Sequence, residues 1–399
     1  MGNCTLNVSI SNPTGVTSEV SNIVITFFIA LFMLVGVTGN ILTMVTIGTS
    51  KSLHSVSNLV IFSLCVSDLT SAVICSPLWL YRRTWGFETW KMGSFMCKFY
   101  WISDFATSYV TSLHIVSFAA LRYIAVKRPF CVTSISKRRV LAAIVVFWVI
   151  SIAVALPLAV YMDVRVRREQ EDIGMSWPSC SIIDDGDCCV AMYNLYMSIV
   201  NPIFFYLPMG ILFTLSLLII TVLSERNRWR RAASNFLDCE HYSRHLDTIN
   251  QRQPPLPDVI AQTTDPDNVL DDENRNASNV HTTRAPQIRT VACPNHTVAR
   301  QNVSDARYYR ERKIFLQLIL IVINFVIGYI PLTAYLMWTT VTPKCSKSVP
   351  YATDYWFGVA SYLCLRISEC MNPVMYNLGS TNMRKESLRV LKRVFCCKS

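Results

Sequence analysis

Asn40, Asp68, Asp104, Arg122, Asn324, Arg366, Glu369 and Asn372 interrupt stretches of sequence that are otherwise apolar. Ionisable side chains in such surroundings are costly unless paired or hydrated, so these groups are expected to point inward. There they can pair with one another, hold a small cation, share a proton between carboxylates, or meet a charged ligand. The plainer alternative is that they tie helices together through interhelical hydrogen bonds. Asp104 lies 18 residues before Arg122, about five helical turns, which sets both on one side of one helix. No CxxC pairing or histidine cluster suggests a metal site, and no nucleophile–base pair or metal triad suggests catalysis, so the chain is expected not to be an enzyme.

The elements that must position these residues are seven apolar stretches, 23–48, 58–80, 99–126, 140–161, 190–223, 314–338 and 355–378. Each is long enough to cross a hydrocarbon core of about 30 Å as a helix. With 52% hydrophobic and 16% charged residues in 399, the composition is too apolar for a soluble domain. Barrel strands would alternate with a period of two, which these stretches do not. The expected fold is an all-α membrane protein, a seven-transmembrane helix bundle. A transporter would show internal repeats, and none is visible.

Orientation follows from basic residues near the helix ends. Lys127, Arg128, Lys137, Arg138 and Arg139, then Arg226, Arg228, Arg230 and Arg231, then Arg307, Arg310, Arg312 and Lys313 mark two connections as cytoplasmic. The N-terminus is then outside and the C-terminus inside. Arg165, Arg167 and Arg168 oppose this, but neighbouring Glu169, Glu171, Asp172, Asp184, Asp185 and Asp187 make that outer connection mixed in sign. The organisation expected is an extracellular segment 1–22, five helices over 23–226, a disordered cytoplasmic loop 227–308, two helices over 309–378, and an amphipathic helix and tail over 379–399. The loop is rich in Pro, Asp, Asn, Thr and Gln, and only its basic ends are expected to prolong the flanking helices.

The first 22 residues lack a signal-peptide pattern, which leaves the first span as signal anchor. Asn3 and Asn7 are glycosylation acceptors by sequence; the same triplets at Asn276, Asn295 and Asn302 fall in the cytoplasmic loop and read as chance. Cys97 is expected to form a disulfide with Cys180, Cys188 or Cys189, with Cys4 and Cys345 as a second pair. Residues 380–395 alternate basic residues with Met383, Leu388, Val390, Leu391, Val394 and Phe395, the pattern of a helix lying on the cytoplasmic leaflet, and Cys396 and Cys397 beside it suit palmitoylation.

Gly39-Asn40, Ser63-Leu64-Cys65-Val66-Ser67-Asp68-Leu69, Cys97, Arg122-Tyr123, Trp148, Pro208, Pro331 and Asn372-Pro373-Val374-Met375-Tyr376 occur in an order and spacing that together resemble the rhodopsin-like G protein-coupled receptors. The resemblance covers essentially all the spans. It implies a multi-pass plasma-membrane receptor that reads an extracellular small molecule or peptide and passes the signal to a heterotrimeric G protein, with arrestin and membrane lipids as further partners and no nucleic acid. Arg122, Tyr123, Pro331, Pro373 and Tyr376 match its signalling motifs. Asn40, Asp68, Thr111, Ser368 and Asn372 match a mid-membrane cluster that often holds a sodium ion; Glu369 adds a second carboxylate, suited to a cation or a shared proton. No other cofactor is implied.

In the amine-binding branch, an aspartate at the place of Asp104 pairs with the ligand's cationic nitrogen. Trp101, Phe105, Ser108, Tyr109, Tyr329, Tyr335 and Tyr362 would line that cavity and hold an ammonium by cation–π attraction. Asp185-Gly186-Asp187-Cys188 resembles the muscarinic acetylcholine receptors and favours Cys188 as the partner of Cys97. A biogenic amine or acetylcholine is therefore the expected ligand. Arg366 argues otherwise, because it stands where amine receptors usually carry a tyrosine and can itself occupy Asp104. A peptide or other non-amine receptor, a constitutively active receptor, and a seven-helix transporter or scaffold remain the alternatives. Ala120-Leu121-Arg122-Tyr123 lacks the acid that usually precedes the arginine, Gly328-Tyr329-Ile330-Pro331 replaces Cys-Trp-x-Pro, and Ser216 replaces a tyrosine. The first departure would raise basal activity and the others would weaken activation.

Overall fold

In the computed structural model, residues 18–83, 90–128, 131, 134–166, 178–182, 187–250, 296–341 and 351–396 are described. They form α1 (Glu19–Thr49), α2 (Val56–Arg83), α3 (Gly93–Lys127), α4 (Lys137–Tyr161), the strands β1 (Met162–Val166) and β2 (Pro178–Ile182), and α5, in which Asp187–Asn201, Pro202–Tyr206 and Leu207–Asn250 run end to end. α6 (His296–Val341), α7 (Tyr351–Gly379) and α8 (Thr381–Cys396) follow. Serines cap four of the described helix starts: the side chains of Ser18, Ser55, Ser136 and Ser380 accept from the amides of Ser21, Asn58, Arg139 and Met383, giving otherwise orphaned donors a partner.

Among the described residues six helices, α1 to α6, are long and apolar enough to cross a membrane. The seventh, α7, carries Asp354, Arg366 and Glu369 among its 29 residues, so it depends on the others to bury that charge. Large apolar residues remain uncovered along the bundle, among them Phe27 and Leu34 of α1, Val145 and Val149 of α4, and Leu195 and Phe213 of α5. In water such a belt would be costly; lipid tails cover it at no cost.

The core forms around α3, whose Tyr109, Ile115, Phe118 and Ala119 pack with Leu64 of α2, Phe204 and Phe205 of α5, and Phe325 and Tyr329 of α6. Among the described residues two helices contain a π-helical turn, Ser71–Cys75 in α2 and Pro202–Tyr206 in α5. The one in α5 is held from α3, where the Ser112 hydroxyl donates to the Phe204 carbonyl at 2.6 Å. Trp148 of α4 donates to Ser63 of α2 at 3.0 Å. α6 and α7 approach so closely that a Cβ on Gly328 would meet the Ser368 Cβ at 2.4 Å. α8 docks beside α1 through Met383, 1% exposed, and through the Ser50 hydroxyl, which donates to Glu386 at 2.9 Å.

β1 and β2 add a two-stranded antiparallel hairpin to the expected all-helical fold, with Val164 opposite Cys180. The hairpin is tied to the start of α3 by a disulfide between Cys97 and Cys180, whose Cα atoms lie 5.6 Å apart. This corrects the pairing with Cys188: strand pairing carries Cys180 to α3, whereas Cys188 opens α5. Lys98 and Asp163 pair at 3.4 Å beside the disulfide. Partial burial would raise the Asp163 carboxyl, but hydrogen bonds from Ser94, the Val164 amide and Lys98 hold it below the usual carboxylate range.

The chain divides into two compact units, Ser224–Tyr308 and the remainder. Within the first of these, α5 continues to Asn250 and α6 begins at His296, so helix occupies more of the expected loop than its basic ends. No proline or glycine interrupts 224–250, and Ala, Arg, Leu and Glu favour helix there. Asn3, Asn7, Cys4, Asn276, Asn295, Cys345 and Cys397, and the Asp185-Gly186 part of the muscarinic-like motif, lie outside the described residues.

Candidate functional site

Arg366 is the centre of the charged site. The helical spacing of α7 puts Arg366 and Glu369 on one face, three residues apart, and α3 presents Asp104 to the same place. The Arg366 side chain is 3% exposed; its Nη2 lies 2.8 Å from Asp104 Oδ1 and its Nη1 2.5 Å from Glu369 Oε2. The Ser71 hydroxyl, from the π-helical turn of α2, donates to the same Glu369 oxygen at 2.8 Å. One guanidinium therefore links helix α3 to helix α7 and, through Glu369 and Ser71, to α2. Its Cζ lies over the Tyr362 ring, 4.3 Å from the centre, and Tyr362 stacks on Trp79 of α2 with centroids 4.1 Å apart. The planar fork of arginine suits this dual pairing and stacking, which lysine would not reproduce.

A second polar network lies alongside. Asn372 Nδ2 donates to Asp68 at 2.9 Å, and Asn324 Nδ2 donates to Asn372 Oδ1 at 3.0 Å and to the Ser368 carbonyl at 2.7 Å. Thr111 is hydrogen-bonded to Ser67 at 2.9 Å, and Asn40 Nδ2 donates to the Gly36 carbonyl of its own helix at 2.8 Å. The residues expected to surround a sodium ion are thus near one another but do not fit one. Thr111 is engaged with Ser67, Glu369 is held by Arg366 and Ser71, and the Arg366 guanidinium shares the cavity lined by Asn40, Asp68 and Glu369. A diffusible cation there would face a fixed one in a weakly screening interior.

The expected ligand wall has two parts connected through Phe105, whose ring centre lies 6.0 Å from that of Trp101 and 5.7 Å from that of Tyr109. Asp104, Tyr362 and Arg366 meet directly, while Trp101 and Tyr335 each contact an arginine that hydropathy alone does not single out. Arg82 lies 4.6 Å over the Trp101 ring, and Arg83 donates to the Tyr335 hydroxyl at 3.1 Å. Both are 5% exposed. Gly358 leaves room for Arg83, whose guanidinium nitrogens lie 3.0 and 3.1 Å from where a Cβ would stand, and the Tyr355 hydroxyl donates to the Arg83 carbonyl at 2.5 Å. Tyr109 and Tyr329 belong instead to an aromatic core: Tyr109 packs on Phe204 at 4.5 Å and Tyr329 on Phe325 at 4.3 Å. The Ser108 hydroxyl donates back to the Asp104 carbonyl at 2.8 Å. Ser71, Trp79, Arg82, Arg83 and Cys180 are the residues missed or left open by sequence; Arg82 and Arg83 resembled the polar end of a span, when α2 includes both.

At the opposite end of α3, the Arg122 guanidinium lies 4.7 Å from the Phe118 ring centre, and Lys127 donates to the Tyr123 hydroxyl at 2.8 Å. Pro331 and Pro373 lie inside α6 and α7, each removing an amide donor where the helix can bend. Tyr376 is 1% exposed, and its hydroxyl has no hydrogen-bond partner among the described residues.

Apolar outside, with ion pairs and amides gathered between its helices and a disulfide-stapled hairpin at one end, the molecule is a multi-pass helical membrane protein with the build of a receptor. The chain matches the family described as 7 transmembrane receptor (rhodopsin family) over residues 39–376, and it belongs to that family. It is accordingly a receptor that signals through G proteins, and not an enzyme. The rat neurotensin receptor type 1 is 24% identical over 413 residues, covering 97% of this chain and 83% of the relative. Dopamine receptor 3 of Caenorhabditis briggsae is 32% identical over 173 residues, 42% of this chain and 28% of the relative. The human growth hormone secretagogue receptor type 1 is 31% identical over 206 residues, 51% of this chain and 52% of the relative. These relatives span amine and peptide receptors and give no special place to the muscarinic likeness.

Proposed function

We propose that the disulfide-bearing end of the bundle faces outside the cell and receives a peptide or other non-amine ligand, and that the end carrying Arg122 engages a heterotrimeric G protein. The disulfide suits an oxidising exterior, and the basic residues after α3 and α5 suit the cytoplasm. The observation that carries the ligand class is the ion pair of Arg366 with Asp104. A ligand amine would have to displace a buried guanidinium from the carboxylate, and breaking such a pair costs about 3–5 kcal/mol, roughly two to four orders of magnitude in affinity. The likeness to the rat neurotensin receptor type 1, which extends over 97% of this chain, supports the same reading. The amine reading draws its support from the stretch shared with dopamine receptor 3 and from the aromatic rings near Asp104.

The test is nucleotide exchange on a panel of heterotrimeric G proteins in receptor-containing membranes. One arm receives biogenic amines and acetylcholine, the other neutral and acidic peptides, each with an Arg122→Ala control. Peptide-driven exchange that the control loses, with amines silent, is the expected result. Amine-driven exchange in the wild type that Asp104→Asn abolishes would overturn the ligand class while leaving the signalling role intact.

A further inference from the structure

A narrow cavity between α1, α2 and α7 is lined by Asn40 of α1, Asp68 and Ser76 of α2, and Arg366 and Glu369 of α7, with Phe32 and Met33 closing its α1 side. It has room for a guest of about the size of water. Three of its lining side chains each keep one buried polar atom without a hydrogen-bond partner among the described residues: Asn40 Oδ1, Asp68 Oδ1 and Arg366 Nε. Their residues are 0%, 1% and 3% exposed. Buried polar atoms in native proteins are nearly always satisfied, and ordered water is the usual partner when protein supplies none.

The composition of this set decides the guest. Two of the open atoms are acceptors and the third is a donor. A sodium ion could bind the two oxygens but would leave the Arg366 N–H unsatisfied and stand beside a guanidinium. Water can donate to Asn40 and Asp68 and accept from Arg366, which answers all three. Glu369, the added carboxylate, is paired with the added arginine, so a diffusible cation entering there would stand beside a tethered one.

We infer that this cavity is a water site from which sodium is excluded, with Arg366 serving as the resident cation of the carboxylates around it. The receptor's stability is then independent of sodium, and removal of the guanidinium creates a sodium dependence. Neither the ligand class nor a G protein enters the test.

The experiment is thermal unfolding of the full-length receptor in lipid nanodiscs, in sodium chloride against N-methylglucamine chloride at equal ionic strength. For the wild type the midpoints are expected to agree within about 1 °C, because only a ligand that binds the folded state raises it. Arg366→Met is expected to gain a saturable rise with sodium that a further Asp68→Asn change removes. A saturable sodium-dependent rise in the wild type that Asp68→Asn abolishes would overturn the exclusion. Should Arg366→Met fail to fold, radiolytic hydroxyl labelling of the wild type tests the hydration directly. Rapid oxidation of Cys370, which lines the cavity and is 5% exposed, is expected, and an unlabelled Cys370 beside labelled surface methionines would overturn it.

Discussion

Arg366 sits between two carboxylates, so its removal and theirs should not be equivalent. Arg366→Met leaves Asp104 and Glu369 buried without their partner, and the expected loss is about 3–5 kcal/mol, read as a lowered unfolding midpoint in sodium-free buffer. Adding Asp104→Asn and Glu369→Gln to that variant is expected to recover most of the loss; a triple variant as weak as the single one would show that the arginine acts through packing on Tyr362. The sequence exposed this trio because charge stands out against an apolar background. It did not expose Arg82 and Arg83, since charge at the edge of an apolar run looks the same whether the helix stops or continues inward. It favoured Cys188 over Cys180 and Cys189, wrongly, because strand pairing, rather than a short motif or distance along the chain, decides which sulfur reaches Cys97.

Helices α6 and α7 meet at Gly328 with no space for a side chain. Gly328→Ala would press a methyl against the Ser368 Cβ, 2.4 Å from its ideal position, and overpacking of this kind costs about 1–3 kcal/mol. The expected outcome is a lower unfolding midpoint together with altered basal nucleotide exchange, since the two helices must part to relieve it; Gly328→Ala with Ser368→Gly should restore both. An unchanged midpoint in Gly328→Ala would show that the helices slide apart freely. Most helix positions were legible, because a run of twenty or more apolar residues rarely forms anything but a spanning helix. The β hairpin was not, being short and set in a mixed-charge segment. The π-helical turns were equally hidden, as one extra residue per turn leaves hydropathy unchanged.

As a membrane protein the chain has one weak member. Insertion scales assign arginine and aspartate about 2.5–3.5 kcal/mol each at the centre of a span, and α7 offers Arg366 and Glu369 there with few compensating runs of leucine. Placed alone in a translocation reporter with glycosylation acceptors on either side, α7 is expected to insert in a minority of chains, and Arg366→Leu with Glu369→Leu to make insertion nearly complete. Efficient insertion of the unmodified segment would show that its charges are neutralised within the helix, as the Arg366–Glu369 bond by itself allows. In the assembled bundle the cost is met by α2 and α3, which supply Ser71 and Asp104. Seven spans could be counted from sequence because residues 355–378 stay apolar over a spanning length despite Arg366 and Glu369; which neighbours steady that helix could not.

The π-helical turn Ser71–Cys75 carries a consequence for comparative work. An extra residue in a helix rotates everything beyond it by about 100°, so the direction of Arg82 and Arg83 depends on that turn as well as on their distance from Asp68. An alignment that counts outward from Asp68 without a gap, against a relative whose second helix is regular, would match each arginine to the wrong neighbour. Family trees and inferred ancestors built on such columns would then record substitutions that never occurred.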